Sequence, residues 1–128
     1  MTPVVLDTNI LVSAFWTESG KAAKIVHMFA EEQLRLFYDA QIMTEYSAVL
    51  RRAKFAFGKI KIDELLRSIR NDGILVAVTP SEAAFTDESD RKFYDAAKAC
   101  GAVLITGNLK HYPDEPFIKT AAEFLSEH

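Results

Sequence analysis

Apolar runs of only four or five residues recur along this chain, at 3–6, 34–38, 74–78 and 102–105, and they leave little choice of architecture. Each has the length of a short buried strand, and stretches of helical periodicity lie between them. Parallel strands cannot be joined by tight turns; they need crossovers of a dozen or more residues, usually helices. The alternation therefore predicts a three-layer α/β/α sandwich around a central, mostly parallel sheet of four or five short strands. A brief last strand and a closing helix are expected within 117–125.

Helices are expected over 10–16 and 20–31, the second with Ala23, Val26, His27 and Ala30 near a 3.6-residue period. A third spans 40–53 with Ile42, Tyr46, Val49 and Leu50 inward, and a fourth spans 61–71 with Ile62, Leu65, Leu66 and Ile69 inward. Gly73 stops the fourth helix, and Pro80 closes the strand after it. A further helix opens at Asp90 and runs to Cys100, with Gly101 as its cap. No linker, repeat or low-complexity tract interrupts the pattern, so 1–128 reads as a single domain. Trp16 and the phenylalanines read as core.

The single Cys100 excludes an internal disulfide framework and a cysteine-rich zinc site, and it suits a reducing compartment. No basic leader precedes the first apolar run and no stretch approaches a membrane span, so a soluble, cytoplasmic protein is expected. The net charge of −3 does not suggest a nucleic-acid binder until its distribution is considered. Residues 51–72 hold seven basic side chains against three acidic ones, which leaves −7 for the rest. An acidic body with one basic segment suits an enzyme that gathers carboxylates around a metal and holds a phosphate backbone beside it.

Three carboxylates fit such a site. Asp7 stands at the carboxyl end of the first strand, where parallel sheets bind ligands. Glu45 lies three residues after Ile42 and four before Val49, on or beside the buried stripe of its helix, a costly place without a cation or a partner such as Arg52. Asp90 opens its helix and is preferred to Asp95, which is rotated roughly 140° around the axis. Helix capping is the alternative role for Asp7 and Asp90. Oxygen donors from distant segments suit Mg²⁺ or Mn²⁺. The polar turn Thr106, Gly107, Asn108 falls at another strand end and belongs to the same crevice.

Other chemistries lack their residues. The chain has no glycine-rich phosphate loop, no second acid two residues after Asp7, and no Gly-x-Ser-x-Gly elbow. His27, His111 and His128 show no paired metal spacing and read as ordinary packed or partly exposed histidines.

The segments "VVLDTNILVSAF", "QIMTEYSAVL", "DESDRKFYDAAKACGAVLITGN" and "LKHYP" resemble the PIN-domain family, and within it the VapC-like ribonucleases of bacterial toxin–antitoxin pairs. The resemblance runs nearly end to end. It implies a PIN-like fold in which Asp7, Glu45 and Asp90 bind Mg²⁺ or Mn²⁺ and hydrolyse RNA. Asn108 falls where the family often has a fourth acid; a neutral amide there orients water or substrate and leaves one metal or two open. Asn9, Thr106 and Asp95 are supporting polar residues, and Arg51, Arg52 and Lys54 are the candidate phosphate track. The resemblance also implies an RNA substrate, an antitoxin protein as partner and a homodimer. Two alternatives are a catalytically weak PIN fold that binds RNA or protein, suggested by Asn108, and a phosphotransfer domain modified at Asp7.

Overall fold

The computed structural model describes all of residues 1–128. Strand β1 (Thr2–Leu6) leads into helices α1 (Thr8–Trp16) and α2 (Lys21–Ala30). Strand β2 (Leu34–Tyr38) leads into α3 (Ala40–Leu50) and α4 (Lys59–Asp72). After β3 (Ile74–Leu75) a long irregular segment reaches α5 (Arg91–Cys100), and β4 (Val103–Ile105), β5 (Ile118–Lys119) and α6 (Ala121–Ser126) follow. The strands lie in the order β3-β2-β1-β4-β5, and every pairing is parallel. The chain thus builds outward from β1 on one side, then returns to set β4 on the other. Strand order reverses between β1 and β4, and the crevice beyond the carboxyl ends of such a pair is the natural ligand site of an open parallel sheet.

Helices cover the sheet as the short apolar strands require. Val4, Val5 and Leu6 of β1 are at most 1% exposed, because a central parallel strand is buried on both faces. Helix α5 packs across β1, β2 and β4, α2 lies on β2 and meets α6, and α1 joins α2 to α3. On α4, Ile62, Leu66 and Ile69 are buried at the expected period, each contributing roughly 1.5–3 kcal/mol of apolar burial. On α3, Ile42, Tyr46 and Leu50 are buried and Val49 is half-buried. The Tyr46 hydroxyl donates to the Leu6 carbonyl oxygen at 2.5 Å, which ties α3 to the end of β1. Helix α5 ends at Gly101 with φ +62°, a left-handed turn that glycine adopts without strain.

Four expectations are corrected. Of the run 74–78, only Ile74 and Leu75 pair with β2, and both are exposed. An edge strand has one neighbour to pair with, and the chain leaves it after the Val76 amide donates to the Tyr38 carbonyl. Helix α3 stops at Leu50 rather than residue 53: Arg52 is extended, and a separate 3₁₀ turn forms at Ala53–Phe55. On α2 the buried stripe is Ala22, Ala23, Ile25 and Phe29, whereas His27 and Ala30 are exposed. Two apolar stripes compete on that helix, and the one carrying Ile25 and Phe29 removes more area from water. Trp16 is 65% exposed rather than core: it is the last residue of α1, and its indole meets Phe55 and Phe57 edge-on.

Candidate active site

The register of the sheet builds the site. Leu6 pairs with Ile105, so Asp7 and Thr106 leave β1 and β4 side by side. The Asp7 amide donates to the Ile105 carbonyl at 3.0 Å. The hydroxyls of Thr106 and Tyr112 both donate to Asp7 Oδ2, each at 2.8 Å. Asp7 occupies the capping position of α1, yet its side chain makes no capping bond. Its carboxylate therefore belongs to the crevice and not to the helix. Burial raises its pKa; bonds from Tyr112, Thr106 and the Asn9 amide oppose that rise, and the charge of Glu45 adds to it. Asn9 Oδ1 accepts from the Gly107 amide and Thr106 Oγ1 from the Asn108 amide, both at 3.0 Å, so the turns after β1 and β4 brace each other.

Glu45 reaches the crevice from α3. Thr8, the first residue of α1, donates its hydroxyl to Glu45 Oε2, and the Lys92 ammonium lies 2.7 Å from Oε1. The Lys92 side chain is only 11% exposed and also donates to the Ser89 carbonyl. Asp90 comes from the start of α5, again without a side-chain capping bond. Its Oδ2 is buried and has no hydrogen-bond partner; the His111 ring nitrogen lies 3.6 Å away. Desolvation, with the charges of Asp7 and Asp87, lifts the Asp90 carboxyl to about 6 against the opposing charges of His111 and Lys92. The Tyr112 phenol is pushed far up by burial and by the charges of Asp7, Asp90 and Glu45, so one buried ring feels all three acids.

Oxygen donors of this kind suit a hard divalent cation, and Asp90 Oδ2 is one of two buried carboxylate oxygens without a hydrogen-bond partner, Asp95 Oδ1 being the other. No three His, Cys, Asp or Glu side chains are drawn close enough to enclose an ion in this arrangement. Glu45 holds both of its oxygens on protein donors, and an ion would have to displace Lys92 to reach it.

The other expected residues are distributed more widely. The Asn108 side chain is exposed, and its contact with the site is through its backbone. Asp95 is buried, but its Oδ2 accepts from the Ser81 amide at 3.0 Å, which anchors the irregular segment after β3. Arg51 and Lys59 both pair with Asp63, whereas Arg52 and Lys54 are exposed and enter no salt bridge. Sequence reasoning missed Lys92, Tyr112, Thr8 and His111. Lys92 had a signal, a lysine two residues after a candidate ligand; Tyr112 stands in "LKHYP", but nothing local says that its hydroxyl returns to Asp7 across 105 positions.

The PIN domain family profile matches residues 3–110, a span that includes all three acids and Lys92. The chain belongs to the PIN domain family. Tyr112 and His111 complete the crevice of this PIN domain from just beyond the matched span. A relative, the uncharacterized protein MJ1680 of Methanocaldococcus jannaschii, is 27% identical over 110 residues, which cover 82% of this chain and 70% of the relative. Among solved structures, the fold is similar to a chain in the crystal structure of VapBC2 from Rickettsia felis bound to a DNA fragment from their promoter. That match has a TM-score of 0.59 and 15% identity, and covers 85% of this chain and 90% of the other. No helix is long and apolar enough to cross a membrane.

Proposed function

We propose that this PIN domain is a metal-dependent endoribonuclease that hydrolyses RNA phosphodiester bonds, working in the cytoplasm as the toxin of a toxin–antitoxin pair. The observation that carries the reading is Asp7, held at the end of β1 by the hydroxyls of Tyr112 and Thr106, together with a buried, unpartnered oxygen on Asp90. A Mg²⁺ or Mn²⁺ ion held by these three acids would supply the Lewis acidity that neutralises phosphate charge and acidifies an attacking water. The protein does the positioning. Tyr112 and Thr106 hold Asp7 by one oxygen, Thr8 orients Glu45, and Asn9 locks the two supporting turns together. Asn108, exposed at the rim, orients water or substrate, and Asp95 supports the site by fixing the Ser81 segment. Arg51, Arg52 and Lys54 form the phosphate track, with Arg52 and Lys54 supplying its free charge. The resemblance to PIN toxins makes a cognate antitoxin and a second copy of the chain the expected protein partners.

Isothermal titration with Mn²⁺, alongside cleavage of end-labelled RNA with and without chelator, tests the reading. Saturable binding and chelator-sensitive cleavage, both lost in Asp7→Asn, are expected. Absence of Mn²⁺ binding in the wild type and in Asn108→Asp would remove the enzymatic basis. A second reading, a catalytically weak RNA- or protein-binding module, is favoured by the exposed, neutral Asn108 and by the Lys92–Glu45 pair. RNA binding without cleavage at saturating Mn²⁺ would select it.

A further inference from the structure

We propose that Trp16, Phe55 and Phe57 form a base-stacking platform that seats single-stranded RNA beside the acids; the choice of RNA rests on the nuclease reading above. The Phe55 and Phe57 rings are stacked 5.2 Å apart with their planes 9° from parallel. The Trp16 indole stands at right angles to both, at 6.1 and 6.4 Å, and Phe15 stacks on Phe57 at 4.9 Å. Packed aromatic pairs usually lie in a core, as Tyr46 and Phe93 do here. Trp16 is 65% exposed at the outer side of this group, whereas Phe55 and Phe57 are half-buried and Phe57 backs onto the core. An apolar patch maintained in water marks a binding surface.

The surrounding charge selects the kind of partner. Residues 51–59 interleave basic and aromatic side chains, and the Lys54 ammonium lies 5.2 Å from the centre of the Phe55 ring. Asp63 satisfies Arg51 and Lys59, while Arg52 and Lys54 carry free positive charge at the rim. Flat rings for bases and adjacent cations for phosphates are the two components of single-strand recognition.

Two helices join the aromatic group to the acids. Helix α1 begins at Thr8, which holds Glu45, and ends at Trp16; eight residues of helix separate its ends by about 12 Å. Helix α3 carries Glu45 and ends one residue before Arg51. Both helices thus connect the acids to the aromatic group through continuous backbone.

Trp16 is the single tryptophan, so its emission reports this surface alone. The full chain, kept in chelator to prevent cleavage, is titrated with a labelled single-stranded 12-nucleotide RNA and with a duplex of equal length. Tryptophan emission and RNA anisotropy are followed together. Quenching that tracks anisotropy for the single strand, and is absent for the duplex, is expected. Trp16→Ala should weaken single-strand binding roughly 5- to 150-fold, the range that one lost stacked base represents, without changing the salt slope, since stacking releases no counterions. Phe55→Leu, which keeps the fluorophore, should weaken binding in the same way. Binding by anisotropy with unchanged emission and unaltered affinity in both variants overturns the platform and leaves the nuclease reading intact. Emission that shifts with protein concentration, matched by sedimentation to self-association through the patch, also overturns it. Failure to bind either RNA overturns the platform, while the nuclease reading is decided by the Mn²⁺ titration and cleavage assay above.

Discussion

Asp90→Asn should stabilise the metal-free protein at neutral pH, although it removes a residue of the proposed reaction centre. The Asp90 carboxyl is lifted from its ordinary 3.8 to about 6, chiefly by desolvation. An acid raised in the folded state stabilises the fold while protonated. Its contribution is fully present below about pH 4 and is lost as pH rises through 6. At about 1.36 kcal/mol per pH unit the upper limit of that loss is about 3 kcal/mol. Charges in proteins are screened more than a dry interior would allow, which reduces the expected gain to about 1–2 kcal/mol. Urea unfolding in chelator, run from pH 4 to 8, measures it. The advantage of Asp90→Asn over wild type should be small at pH 4, grow to pH 7 and then level off. In a thermal scan at pH 7.5 it corresponds to several degrees of Tm. Saturating Mn²⁺ should reverse the order, because only the wild type keeps the full set of acids. An advantage that does not vary with pH, or a variant less stable at pH 7.5, would refute an electrostatic origin and mark Asp90 as structural.

Three further outcomes follow from the same geometry. Tyr112→Phe removes one of the two hydroxyls on Asp7 Oδ2 and should cost about 1–2 kcal/mol in urea unfolding at pH 7, with the Asp7 carboxyl moved further upward in a carboxyl NMR titration. Lys92→Met frees Glu45 Oε1 and should tighten Mn²⁺ binding about 2- to 5-fold by calorimetry; weaker binding would mean that Lys92 positions Glu45 instead of competing for it. Gly73→Ala places a Cβ 2.5 Å from the Ile69 carbonyl oxygen and near the Leu36 carbonyl and Tyr38 ring, so a loss of about 1–3 kcal/mol is expected in the same unfolding assay.

Local pattern carries most of the fold. Runs of four or five apolar residues separated by helical periods admit few arrangements other than a covered parallel sheet, and Gly101 marks its helix end because only one backbone conformation suits that turn. Asp7, Glu45 and Asp90 were legible for a related reason: each is a carboxylate at a strand end, beside a buried stripe or at a helix start, where burial is costly without a use. Local pattern fails where two choices have similar energy. The competing stripes of α2 were separated only by what each meets in the packed layer, and the run at 74–78 pairs as far as an edge position allows.

Tertiary structure alone decided the partners. The reversal of strand order beside β1 sets Thr106 against Asp7, 99 residues away, and returns Tyr112 to the same oxygen. The approach of α5 to α3 pairs Glu45 with Lys92, whose spacing in the sequence points only to Asp90. The early end of α3 brings half-buried Phe55 and Phe57 against Trp16, and of the three only Trp16, core-like by composition, becomes surface. Hydrophobic periodicity is a property of neighbouring residues and can be read along the chain. Hydrogen-bond partners, desolvation and exposure depend on residues far apart in sequence, and they acquire values only once the elements have packed.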